Sequence, residues 1–258
     1  MAHTLEPEEA LPTDLVECLQ SSQRALLFTG AGMSAESGIP TFRDAQSGLW
    51  SRFEPMRLAS PEGFADDPGL VWRWYQWRRR LISQVSPNAA HHALARWQAA
   101  CPGSLLITQN VDGLHQRAGS DPVVALHGNI HQTVCSETRQ AIDQAWLDRH
   151  ADREPPPSPH HPEGLARPDV VWFGEALDSR LLDRALQFAE SADLVVVIGT
   201  AGLVQPAASI PVEAARRGTH LIEINPMPSE LTRLATWRLA GRAAACVPKL
   251  QEVVRQST

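Results

Sequence analysis

The hexapeptide Gly30-Ala31-Gly32-Met33-Ser34-Ala35 follows an apolar run and reads G-x-G-x-x-A. Small residues at that spacing let backbone N–H groups approach a pyrophosphate, and they also make an ordinary tight turn after a strand. Gln109-Asn110-Val111-Asp112 ends a second apolar run. A carboxylate beside two amides can hydrogen-bond ribose hydroxyls and a carboxamide; equally, Asn110 or Asp112 can cap a following helix. His127 follows a third run, and Gly128 leaves space beside it. Imidazole suits general-base work near neutral pH, although a single histidine also serves as a packed residue. Gly199-Thr200 and Asn225 end two later runs, where glycine and asparagine also favour plain turns. In residues 70–82 (LVWRWYQWRRRLI), Tyr75 and Arg78 are neighbours on one helix face; the alternative is a tryptophan stripe with a solvated arginine face.

The elements that would position these residues follow from periodicity. Apolar runs at 25–30, 104–110, 123–128, 193–200, 220–226 and 243–248 read as strands, several of them apolar throughout. That suits strands buried on both faces. Helical spacing recurs at 89–100, 177–189 and 206–217. The alternation predicts an α/β fold: a Rossmann-like parallel sheet with helices on both faces. Residues 44–85, tryptophan-rich and helical in pattern, and 130–168, with the proline-rich stretch 154–164, break the alternation. They are expected to form a smaller inserted domain, leaving 1–43, 86–129 and 169–258 as the large one. After the glycine loop, Gly38 and Pro40 end any helix quickly, and no strand carrying an acid follows. That argues against a plain dehydrogenase.

Composition narrows the function classes. The chain has 258 residues and a formal net charge of −6, which disfavours non-specific nucleic-acid binding. No apolar run reaches the ~18 residues of a membrane helix, and the acidic start lacks the basic and apolar regions of a secretory signal. Cys18, Cys101, Cys135 and Cys246 are scattered with no C-x-x-C, so neither a disulfide framework nor a four-cysteine zinc site is legible. A cytoplasmic protein is expected. Lys249 is the single lysine and reads as compositional bias.

Taken together, GAGMSAESGIPTFR (30–43), TQNVDGLHQRAG (108–119), LHGN (126–129), VVWFGE (170–175), GTAGLVQPAA (199–208) and EINP (223–226) resemble, in order, the signatures of the sirtuins, the NAD-dependent protein deacylases. The likeness spans about 25–254, nearly the whole chain.

The resemblance implies NAD as cofactor and His127 as catalytic base, with Asn110 beside it in catalysis. It implies that Gly30, Ala31, Gly32, Ser34, Gly199, Thr200 and Asn225 contact the NAD phosphates and adenosine ribose. Ile39 and Asp112 would hold the carboxamide, and Gln109 and Asn110 the nicotinamide ribose. Phe42 would shield the reactive carbon and Arg43 would meet phosphate or ribose. Acyl-lysine proteins would bind by strand addition along Val171, Phe173, Gly174 and Glu175. Products would be nicotinamide, free lysine and 2′-O-acyl-ADP-ribose. W-x-W-Y-x-x-R resembles the branch removing acidic acyl groups, so Tyr75 and Arg78 would bind a succinyl or malonyl carboxylate, with deacetylation alongside.

Two departures stand out. Ala201 replaces a common serine. The family's two zinc-binding cysteine pairs are reduced to Cys135, with Thr138 at its partner's place. Zinc loss is therefore expected over a substitute site of Cys135 with His150, His160 or His161. The partners expected are acyl-lysine peptides, without membrane or nucleic acid, for a monomer. An NAD hydrolase or ADP-ribosyltransferase on this scaffold, or a non-catalytic binding module, are the rival functions.

Overall fold

In the run ALLFT, Leu27 packs into one hydrophobic cluster while Leu26 and Phe28 pack into another. The strand carries no polar face because both its faces are covered. The structure, a computed structural model, describes residues 2–40 and 55–255. Its strands are β1 (His3–Leu5), β2 (Ala25–Thr29), β3 (Leu105–Thr108), β4 (Val123–Ala125), β5 (Gly128–Cys135), β6 (Ala166–Val170), β7 (Leu194–Ile198), β8 (His220–Ile224) and β9 (Trp237–Leu239). Seven form one sheet in the order β1-β9-β8-β7-β2-β3-β4, and every pairing in it is parallel. Helices Thr13–Ser21, Ala89–Ala100 and Ala243–Arg255 cover one face. Helices Ser179–Ser191 and Ser209–Arg216 cover the other. This is the α/β architecture that the alternation predicts.

One strand expectation fails. Residues 243–248 begin the helix Ala243–Arg255 instead of forming a strand. Ala243, Cys246, Val247, Leu250 and Val254 are spaced three and four apart and all enter the first cluster. Short windows of alanine, cysteine and valine do not separate the two periods, and Pro248 lies inside the helix rather than ending a strand. The sheet's edge pair β1 and β9, three residues each, is too short to carry a periodic signal.

Residues 128–170 contribute an antiparallel pair, β5 with β6, whose register shifts between Asn129 and Thr133. Helices Pro55–Leu58, Pro61–Asp66 and Pro68–Gln84 precede it in sequence. The longest is capped by Asp67, whose side chain accepts from the Leu70 amide. Arg79 ties that helix to β5, donating to the Ile130 and Gln132 carbonyls and the Thr133 hydroxyl at 2.5, 2.7 and 3.0 Å. Apolar residues of these segments, with Val170 and Trp172, make two further clusters away from the seven-stranded sheet. No helix among the described residues is long and apolar enough to cross a membrane.

Candidate active site

Strands β2, β3, β7 and β8 run parallel, so their carboxyl ends share one edge of the sheet. Ligands bind at such an edge in open α/β sheets. A cleft of about 790 Å³ opens there, the size of a small-molecule site. Its walls include Gly30, Ala31, Gly32, Ser34, Ile39, Arg78, Gln109, Asn110, Asp112, His127, Val171, Phe173, Gly174, Glu175, Gly199, Thr200 and Asn225. Phe42 and Arg43 lie outside the described residues.

The glycine loop leaves β2 and presses against the end of β7. A Cβ on Gly32 would sit 2.8 Å from Gly199 Cα, and one on Gly30 would sit 2.7 Å from Thr200 Cβ. The Gly30 and Gly32 amides donate to the Ile198 and Gly199 carbonyls at 2.9 and 2.8 Å. These two glycines therefore secure the closeness of two loops, and their own N–H groups are spent on the chain rather than pointed at a phosphate.

The residues after β3 differ in which of them caps the following helix. Asp112 does cap, accepting from the Leu114 amide through Oδ1 at 2.9 Å. Its Oδ2 accepts from the Ser34 hydroxyl at 2.7 Å. Asn110 does not cap: its amide donates to the Gly30 carbonyl and Ser34 Oγ at 3.0 and 3.1 Å. Gln109 Nε2 donates to Thr200 Oγ1 at 3.0 Å, and Asn225 Nδ2 donates to the Thr200 carbonyl at 2.9 Å. The polar side chains thus cross-link four strand ends. Burial pushes the Asp112 carboxyl above its ordinary range, against the pull of the Leu114 and Ser34 hydrogen bonds.

His127 sits in the turn between β4 and β5. Its carbonyl accepts from the Val171 amide, and Nδ1 lies 2.9 Å from the Gln109 carbonyl oxygen. A carbonyl only accepts, so Nδ1 carries the proton and Nε2 of the neutral ring is left basic. Burial pushes the imidazole below its ordinary value, partly offset by that hydrogen bond. Gly128 has φ +86°, and a Cβ there would lie 2.1 Å from the Asp169 carbonyl oxygen, so no other residue fits beside the histidine.

Arg78 lines the cleft, its guanidinium 5.0 Å from the Trp74 ring centroid. Burial lowers its pKa, while Tyr75 and Asp112 favour its charge. Tyr75 does not line the cleft: it is 2% exposed, and its hydroxyl accepts from Trp172 Nε1 at 2.9 Å. Burial pushes that phenol up to about 12. Residues 171–175 are less extended than the sequence reading expects. The Glu175 amide bonds the Trp172 carbonyl at 3.0 Å and Gly174 has φ +87°, so the chain turns there. Glu175 is also engaged within the protein, in a bidentate pair with Arg167.

Sequence reasoning missed Trp74, Met227 and Arg242 on the cleft walls. Arg242 directly precedes the helix misread as a strand, which hid its place. Trp74 was legible as the second tryptophan of the W-x-W-Y pattern. Met227 follows the EINP motif and carried no signal of its own.

A parallel sheet whose carboxyl edge bears a glycine loop, a carboxylate-and-amide floor and a basic imidazole nitrogen defines an α/β nucleotide-site protein. The Sir2 family model matches residues 30–206, and the chain belongs to this family. It is 44% identical over 258 residues to an NAD-dependent protein deacylase of Methylococcus capsulatus, covering 95% of this chain and 97% of the relative. It is 45% identical over 240 residues to NAD-dependent protein deacylase 1 of Pseudomonas aeruginosa, covering 92% and 96%. The crystal structure of a Sir2 homolog–NAD complex superposes with a TM-score of 0.88 at 41% identity, covering 99% of this chain and 97% of that one. A structure of a Sir2 variant with deacetylated p53 peptide and 3′-O-acetyl ADP-ribose superposes with a TM-score of 0.82 at 28% identity, covering 93% of this chain and 96% of that one.

Proposed function

We propose that the protein removes acyl groups from protein lysines with NAD, and that succinyl and malonyl groups are among its substrates beside acetyl. The observation that carries the reading is the convergence of the His127 ring, Asp112 and Arg78 on one cleft. The cleft's donors and acceptors fit NAD, and its volume of about 790 Å³ suits a ligand of that class. NAD would supply an electrophilic ribose carbon with nicotinamide as leaving group. Thr200 and Asn225 would hold the phosphate and adenosine end, with the small residues of loop 30–34 leaving room for it. Gln109, Asn110, Asp112 and Ile39 would hold the nicotinamide end. His127 would accept a hydroxyl proton at Nε2. The acyl-lysine peptide would lie along 171–175, and Arg78 would meet a distal carboxylate with charge-assisted hydrogen bonds.

The inserted segments belong to the same proposal, as a smaller domain without zinc. Cys135 is fully buried, and its nearest polar groups are hydroxyls and amides of Thr138, Ser158 and Glu137. A Cβ on Gly164 would stand 2.7 Å from its sulfur. Among the described residues no three His, Cys, Asp or Glu side chains are grouped to hold a metal. One thiol among hydroxyls does not fit a tetrahedral N/S site. A cytoplasmic monomer without membrane or nucleic-acid partners completes the proposal.

The test is turnover of matched succinyl- and acetyl-lysine peptides with NAD, for wild type and Arg78→Met. Wild type is expected to process both. The variant should lose about ten-fold or more in succinyl kcat/KM, since hydrogen bonds to charged groups contribute about 1.5–3 kcal/mol. Its acetyl turnover should change far less. Acetyl-only activity indifferent to the substitution would remove the acidic-acyl reading.

A further inference from the structure

Two buried charges, Glu223 and Arg238, underlie the cleft wall formed by Asn225, Pro226 and Met227. They are register partners on β8 and β9, and neither lines the cleft. The Glu223 carboxylate is wrapped by the loop that follows its own strand. Ser229 Oγ donates to Oε1 and Thr232 Oγ1 to Oε2, both at 2.5 Å. Each hydroxyl oxygen also accepts a loop amide, from Leu231 at 3.0 Å and from Ser229 at 2.8 Å, so its proton is left for the carboxylate. Arg238 faces the same carboxylate, with Nε 3.9 Å from Oε2. Its Nη2 donates to two successive carbonyls of the wall, Asn225 at 3.1 Å and Pro226 at 3.0 Å. The loop in turn presses on the neighbouring wall. The Glu230 amide donates to the Ala201 carbonyl at 3.2 Å, and a Cβ on Gly202 would stand 2.8 Å from Leu231 Cγ.

A buried ion pair is a weak source of stability, because desolvating two charges offsets most of their attraction. What this pair has is direction. Carbonyls held by Arg238 cannot turn elsewhere, so the gripped backbone fixes where Asn225 and Met227 stand. We propose that Arg238, balanced by Glu223, is a positioning residue for the cofactor. It holds residues 225–227 in the shape that receives the adenosine end of NAD. Arg238 lies off the cleft, so its loss should register in NAD affinity and leave the peptide and the chemistry alone. The inference rests on the reading of Asn225 as an adenosine-end residue.

The experiment compares wild type, Arg238→Met, the double variant Glu223→Gln/Arg238→Met, and Asn225→Ala. KM for NAD, KM for an acetyl-lysine peptide, kcat and Tm are measured for each. Calorimetry adds the Kd of ADP-ribose, which carries the adenosine end without nicotinamide. Arg238→Met should raise the NAD KM and the ADP-ribose Kd about 3- to 10-fold, the range of the hydrogen bonds lost, with peptide KM and kcat within about two-fold. The double variant leaves no unpaired buried charge, so its Tm should recover toward wild type. Its NAD KM should stay raised, because the Asn225 and Pro226 carbonyls are still ungripped. A double variant with the wild-type NAD KM, or equal rises in both KM values, would overturn the proposal in favour of simple folding. Asn225→Ala should weaken ADP-ribose binding by itself. Unchanged binding there would overturn the reading of Asn225 and this inference with it. Weakened binding there, beside an unaltered Arg238→Met, would overturn the inference alone. Should Arg238→Met melt below the assay temperature, the double variant carries the comparison.

Discussion

The Nδ1 atom of His127 faces the Gln109 carbonyl at 2.9 Å, and that contact sets which nitrogen acts. With Nδ1–H committed, Nε2 is the nitrogen left to accept a proton, and only the neutral ring can accept one. Burial lowers the imidazole pKa from 6.5, so the active form persists below that pH. The sign follows directly: kcat/KM should be flat near neutrality and fall as pH drops through a value under 6.5. His127→Ala should lose at least about 10²-fold in deacylation while still binding NAD, read by steady-state kinetics and by calorimetry. A profile whose acidic limb lies above 7, or undiminished turnover in the variant, would remove His127 from the role of base. At this scale the sequence was partly ambiguous. It offered Asn110 and Asp112 alike as caps or ligand groups. Only the fold shows that Asp112 caps through one oxygen and holds the Ser34 hydroxyl through the other, while Asn110 spans back to the glycine loop.

Elements were legible where they were long and doubly buried. Helix 89–100 has the bounds its spacing predicts, and β2, β3, β7 and β8 fall inside their apolar runs. The three-residue strands β1 and β9 and the start of the last helix were not legible, because a few residues hold less than one period of either pattern. Nor did sequence reveal that Ser158, in the connection of the β5–β6 hairpin, hydrogen-bonds the Cys135 sulfur. That hairpin carries the prediction for this scale. With hydroxyls where zinc-binding thiolates would be needed, its stability should not depend on metal. Purified protein should contain well under about 0.1 zinc per chain, and chelation should leave Tm unchanged. Stoichiometric zinc, with a Tm that drops on chelation, would contradict the zinc-free reading.

Across the whole molecule, chemistry depends on side chains gathered from distant stretches of sequence. Ser34 follows β2, Asp112 follows β3, His127 follows β4 and Thr200 follows β7, and parallel pairing delivers all of them to one edge. The parallel sheet was readable from the strand–helix alternation, and hence so was the edge where a ligand would bind. How the tryptophan-rich helix meets that edge was not, since Arg78 reaches the cleft only through packing of helix Pro68–Gln84 against β5 and β6. The central claim is that this assembled cleft couples NAD cleavage to acyl transfer. Its most direct test is product stoichiometry by mass spectrometry, with NAD and an acyl-lysine peptide. Equal amounts of nicotinamide, freed lysine peptide and O-acyl-ADP-ribose are expected, with almost no NAD loss without peptide. Nicotinamide released with plain ADP-ribose, at the same rate whether or not peptide is present, would contradict it and identify an NAD hydrolase.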